Sequence, residues 1–278
     1  MRTETIHLKD HFPFLGENSC DPILDLFLPY NMTEMGRQDQ KRPSILLCPG
    51  GGYVYCSDAE AEPVALSYTA SGFHAFILRY SVGKMVAGFA PLKQVDWVIG
   101  MLRENAESWH IDPNKILVCG FSAGGHLAAH YSNCWNIPQV RQVFPESKPV
   151  QASVLCYPVI SADEKIAHLG SFYNLLGVDA LTDAQVEQFS CDRLVTAQTP
   201  PAFVWHTAAD ALVPVANSLR YATALSEQGI AFALHIYPDG AHGLSTVDGQ
   251  TNKPLPENVT RAAKWLDEVK KWLSDLFK

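Results

Sequence analysis

The stretch Ile116-Leu117-Val118-Cys119-Gly120-Phe121-Ser122-Ala123-Gly124 decides how this chain is read. An apolar run of strand length leads into G-x-S-x-G, and a helical pattern from Ala123 to Cys134 follows, the context the motif requires. A strand that turns directly into a helix forces the central serine into a strained backbone. Side chains two positions to either side would collide with the neighbouring strand and helix. Gly120 and Gly124 remove those side chains and leave the Ser122 hydroxyl exposed above the sheet. The helix N-terminus beneath favours negative charge developing there.

Outward from this turn, short apolar runs alternate with helical stretches, the pattern of βαβ units. Strands are expected at Ile23 to Leu28, Ser44 to Cys48, His74 to Tyr80, Ile116 to Gly120, Ala152 to Tyr157, Ala202 to Thr207 and Ala231 to Tyr237. Most are near-continuous hydrophobic runs, as parallel strands covered on both faces should be. Helices fit at Asp58 to Ser71, Pro91 to Trp109, Ala123 to Cys134, Pro214 to Gln228 and Glu257 to Phe277, with Gly72 and Gly229 as left-handed caps after two of them. The expected class is α/β: a mostly parallel central sheet with helices on both faces, in a single domain spanning 1–278. The interval 158–201 breaks the alternation. It holds a helical pattern from Thr182 to Val195 and a loop-like run, Leu169 to Asn174, and is expected to form a cap or wall.

Composition narrows the function classes. The chain has 278 residues, 47% hydrophobic and 18% charged, which excludes disorder and collagen-like structure. No apolar run approaches the roughly 20 residues of a membrane helix. The net charge of −8, with scattered basic residues, argues against nucleic acid as a partner. Residues 1–9 lack the apolar core of a signal peptide. Seven cysteines without C-x-x-C spacing read as reduced, mostly buried thiols, so a cytoplasmic location is expected.

A second glycine signal is Cys48-Pro49-Gly50-Gly51-Gly52-Tyr53, directly after a strand. Consecutive glycines let backbone N–H groups point into a pocket, as an oxyanion hole needs. The expected donors are the amides of Gly51, Gly52 and Ala123. A phosphate-binding P-loop would need Lys after the glycines, and none follows. A nucleophilic serine also needs a base and a group that orients it. Asp210 lies just past the strand Ala202 to Thr207, and His242 follows the next strand in Tyr237-Pro238-Asp239-Gly240-Ala241-His242-Gly243. Both would reach the sheet edge that carries Ser122.

These motifs, together with Leu24-Asp25-Leu26-Phe27-Leu28-Pro29 near the N-terminus, make the chain resemble an α/β-hydrolase over nearly its whole length. Within that fold it resembles the small serine esterases related to bacterial carbohydrate acetylesterases and feruloyl-esterase-like (BD-FAE-like) proteins. The resemblance implies Ser122 as nucleophile, His242 as general base and Asp210 as its orienting acid. It also implies hydrolysis of short-acyl, acetyl-type esters, acetylated carbohydrates among them. Where hormone-sensitive-lipase-like esterases carry His-Gly-Gly-Gly, this chain has Pro49, which favours the acetylesterase-like branch.

Competing assignments are Asp163 as an alternative acid and Asp239 as a turn-shaping residue. His126 and His130 sit at metal-compatible spacing but lack a third ligand, His206 reads as a hydrogen-bonded core residue, and Cys48 and Cys56 as structural thiols. No metal and no cofactor is implied; the expected partner is a small-molecule ester, with no membrane, and a homo-oligomer stays open. The alternative functions are another triad hydrolase, an arylformamidase or small peptidase, and a non-catalytic hydrolase-fold receptor, which an intact triad disfavours.

Overall fold

The strands are β1 (Arg2–His7), β2 (Ile23–Leu28), β3 (Arg42–Cys48), β4 (His74–Arg79), β5 (Ile111–Phe121), β6 (Ala152–Cys156), β7 (Ala202–Thr207) and β8 (Phe232–Tyr237). In this computed structural model, which describes residues 1–10, 21–83, 89–141, 148–252 and 257–278, they form one sheet ordered β1-β2-β4-β3-β5-β6-β7-β8. From β4 to β8 every pairing is parallel; β2 runs against both its neighbours. That antiparallel strand shows alternating burial, with Leu24, Leu26 and Leu28 inward, whereas β6 and β7 are buried throughout.

The helices are α1 (Glu62–Thr69), α2 (Ala90–Glu104), α3 (Ser122–Cys134), α4 (Pro138–Arg141), α5 (Leu169–Leu176), α6 (Asp183–Phe189), α7 (Ala216–Glu227) and α8 (Trp265–Leu276). Strand residues alternate between two cores. Leu46, Val118 and Val204 pack with Val95 of α2, Leu127 of α3 and Tyr221 of α7. Leu47, Leu117 and Trp205 face the other way, against Tyr68 of α1 and Trp265 and Val269 of α8. Each such buried aliphatic side chain contributes about 1.5–3 kcal/mol relative to exposure. Trp265 also stacks on Trp205, ring centroids 5.2 Å apart.

Three departures from the sequence reading have physical causes. β1 was not expected, because Arg2-Thr3-Glu4-Thr5-Ile6-His7 is polar and almost wholly exposed; pairing with β2 alone makes it a strand. The loop-like run Leu169 to Asn174 is the body of α5: Phe172 and Leu175 are buried on one face, which overrides Gly170, and Gly177 closes the helix with a left-handed cap. The final helix is α-helical only from Trp265, residues 257–264 forming a 3₁₀ segment. Gly72 and Gly229 adopt the left-handed conformation expected of them. Cys20 lies outside the described residues; the other six cysteines form no disulfide among the described residues, and of these only Cys56 is not buried. Among the described residues no helix is long and apolar enough to cross a membrane.

Candidate active site

The turn from β5 into α3 puts Ser122 at φ 52°, in the left-handed region that a non-glycine residue occupies only when its surroundings enforce it. A Cβ on Gly120 would stand 2.0 Å from the Gly124 carbonyl oxygen, and one on Gly124 2.0 Å from that of Cys48. Both glycines are therefore obligatory at this elbow. The Ser122 Oγ lies 2.7 Å from His242 Nε2, and His242 Nδ1 lies 2.6 Å from Asp210 Oδ2. A carboxylate only accepts, so His242 carries its proton on Nδ1 and presents a bare Nε2 to the serine hydroxyl.

Asp210 is the more heavily held end of this relay. Its Oδ1 accepts the backbone N–H groups of Leu212 and Val213, each at 2.9 Å. Its Oδ2 also faces His206 Nε2 at 3.2 Å. That nitrogen lies 3.0 Å from the Val213 carbonyl, so it is the protonated one, and Nδ1 accepts from the Ser218 hydroxyl. Burial pushes the Asp210 carboxyl up, but hydrogen bonds from His206 and His242 outweigh it and hold the group far below the usual carboxylate range.

The glycine loop is pinned by its carbonyls and by its first glycine. Tyr80 Oη donates to the Pro49 carbonyl, Asn174 Nδ2 of α5 donates to that of Gly52 at 2.9 Å, and Gly50 N–H donates to Glu60 Oε2 at 2.8 Å. Tyr53 Oη donates to His126 Nδ1, whose Nε2–H donates to the Phe189 carbonyl at the end of α6. Among the described residues, the amides of Gly51, Gly52 and Ala123 have no acceptor. Three N–H donors thus stay open, two on the loop and one at the first turn of α3, and the loop meets the elbow at Gly50, where a Cβ would stand 3.0 Å from that of Ser122.

The structure brings together Ser122, Asp210 and His242; Ala123 follows the serine on α3, and Gly51 and Gly52 follow Gly50, which packs against Ser122. Asp163 is not part of this cluster: it pairs with Arg220 at 2.8 Å. Both nitrogens of His126 are engaged by Tyr53 and Phe189, so it is a strut for the glycine loop. His168 enters from the start of α5, its Nδ1 2.8 Å from the Ser171 hydroxyl. Burial and the neighbouring His242 hold its pKa down. Tyr55 and Leu212 stand exposed on the loops that carry the glycines and Asp210. Sequence reasoning missed Glu60, Tyr157, His168 and Asn174, none of which sits in a motif.

A mostly parallel sheet wrapped by helices, with a strand–Ser–helix elbow, a serine–histidine–aspartate relay and free loop amides, defines an α/β-hydrolase. Residues 24–225 match the BD-FAE family model, and the chain belongs to the BD-FAE family. It is 34% identical to endo-1,4-beta-xylanase B of Butyrivibrio fibrisolvens over 81% of its own length. It is likewise 34% identical to an acetylxylan esterase of Xylanibacter ruminicola over 78%. It spans only 36% and 42% of those two relatives. Among solved structures, the acetyl ester-xyloside bifunctional hydrolase from Caldicellulosiruptor lactoaceticus superposes with a TM-score of 0.84 at 33% identity, covering 98% of this chain and 96% of that one. The carboxylesterase Cest-2923 from Lactobacillus plantarum gives 0.84 at 29% identity, covering 99% and 98%.

Proposed function

We propose that the chain is a serine carboxylic-ester hydrolase acting on short-acyl, acetyl-type esters, with acetylated carbohydrates as the substrate class. The observation that carries this reading is the Ser122–His242–Asp210 relay, and the unengaged amides of Gly51, Gly52 and Ala123 support it. The relatives' names, an acetylxylan esterase and an acetyl ester-xyloside hydrolase, support the substrate class.

Ser122 attacks the ester carbonyl while His242 Nε2 takes the hydroxyl proton. Asp210 keeps the imidazole in the tautomer that can accept it and stabilises the imidazolium that forms. The amides of Gly51, Gly52 and Ala123 hold the oxyanion; one such donor is typically worth about 10²–10³ in rate. His242 returns its proton to the leaving alcohol. Water then attacks the acyl-enzyme through the same base. The segment 158–201 walls the site through His168 and Asn174, and we read it as part of a single catalytic domain. The buried, unpaired thiols support a cytoplasmic setting.

A series of p-nitrophenyl acetate, butyrate and octanoate, with Ser122→Ala beside wild type, tests this. A steep fall beyond acetate, abolished in the variant, is expected. Turnover that rises with chain length sinks the carbohydrate-ester reading. Serine-dependent turnover confined to N-formylkynurenine or a dipeptide amide moves the assignment to an amidase.

A further inference from the structure

Behind the relay lies a second buried carboxylate that the mechanism above does not use. Glu60, on the 3₁₀ turn Asp58–Glu60 ahead of α1, is only 4% exposed. Its two oxygens are engaged in different directions: Oε2 accepts the Gly50 N–H at 2.8 Å, and Oε1 accepts the Tyr157 hydroxyl at 2.7 Å. The Tyr157 oxygen accepts in turn from the Ser245 N–H at 2.9 Å, and the Ser245 hydroxyl returns to the Ala59 carbonyl. One carboxylate therefore ties together the loop that presents Gly51 and Gly52, the residue after β6, and the loop that carries His242. Tyr157 also sets its ring edge-on to the His242 imidazole, centroids 5.0 Å apart. Tyr157 and Ser245 both hold positive φ, 36° and 50°, so strained backbone is fixed at two points of this network.

Resting on the assignment of Ser122 and His242 above, we propose that Glu60 is a positioning residue: through Gly50 and Tyr157 it fixes the oxyanion loop relative to the general base. Around Glu60 stand Tyr80, Cys156, Tyr157 and His242. Around His242 stand Asp210, His168 and Glu60. Asp210 holds the imidazole by direct hydrogen bond, and Glu60 holds it through the Tyr157 ring and the Ser245 loop. Glu60 works only on groups that respond in the transition state, so its loss acts on kcat rather than KM.

The test measures kcat and KM on p-nitrophenyl acetate for wild type, Glu60→Gln, Tyr157→Phe and Ser122→Ala. Glu60→Gln removes the charge and sets an NH₂ against a donor. It should lower kcat about 10–100-fold with KM within about threefold of wild type, because small misplacements near the reacting atoms are costly. Tyr157→Phe keeps the carboxyl group and breaks the tether; it should lower kcat about tenfold, again with KM close to wild type. A Glu60→Gln protein with wild-type kcat, or one whose loss lies in KM, overturns the proposal. Should that variant not fold, Tyr157→Phe decides, and wild-type kcat there overturns it. Turnover in Ser122→Ala at more than a small fraction of wild type would instead overturn the esterase reading itself.

Discussion

The two edges of the sheet are built differently. At the carboxyl edge, Tyr53 follows β3, Ser122 follows β5, Tyr157 follows β6, and Ser245 and Val247 follow β8; all five are non-glycine residues with positive φ. Among the described residues the amino edge has one such residue, His110 ahead of β5. Its turns otherwise rely on glycines with room around them, such as Gly229, where an added Cβ would meet nothing within 4 Å. Strain collects where hydrogen bonds from several segments over-determine the backbone, and those are the loops that carry Ser122, His242 and the glycine run.

The largest break in this comparison is chemical. Ser122→Ala should lower kcat on p-nitrophenyl acetate by about 10⁴-fold or more while leaving the melting temperature close to wild type. The next is steric. Gly124→Ala drives a Cβ to 2.0 Å from the Cys48 carbonyl and should cost at least about 3 kcal/mol, whereas Gly229→Ala at the other edge pays only left-handed strain, about 1–2 kcal/mol. Urea denaturation of the pair measures the contrast; equal losses would erase it.

Acid acts on both edges. Burial depresses His74, at the start of β4, and His126, beneath the glycine loop, to about 4, and burial with the neighbouring His126 takes His130 to about 3. These lie below the ordinary histidine value of about 6.5, so the unfolded chain takes up protons first. The stability they contribute is complete above pH 6.5 and is lost as pH falls towards 4. About 1–2 kcal/mol per histidine should disappear between pH 7 and 5, read as a falling melting temperature that His130→Phe partly flattens. The smallest effect sharpens the comparison within the carboxyl edge. Asn174→Ala frees the Gly52 carbonyl and should lower kcat about five- to tenfold with little change in stability.

Ser122, His242 and the glycine loop were legible in the sequence as glycine-marked turns after apolar runs, and Asp210 as the acid just past one. Glu60 and Tyr157 were not, since they meet across 97 residues and nothing in either segment announces the other. His206 was legible as a hydrogen-bonded core residue, but its approach to Asp210 depends on how β7 runs into the following turn. α5 was obscured by Gly170 and Ser171, whose weak helix propensity is overruled by the burial of Phe172 and Leu175. β1 carries almost no apolar pattern and exists through its partner.

β8 pairs with β7 alone, at the rim of the sheet, and His242 comes after it, 120 residues beyond the serine it serves. Turnover is therefore a late clock of self-assembly. A chain that has already joined β3 through β7 still lacks its base until the last strand docks. During refolding, recovery of ester hydrolysis should trail recovery of helical circular dichroism.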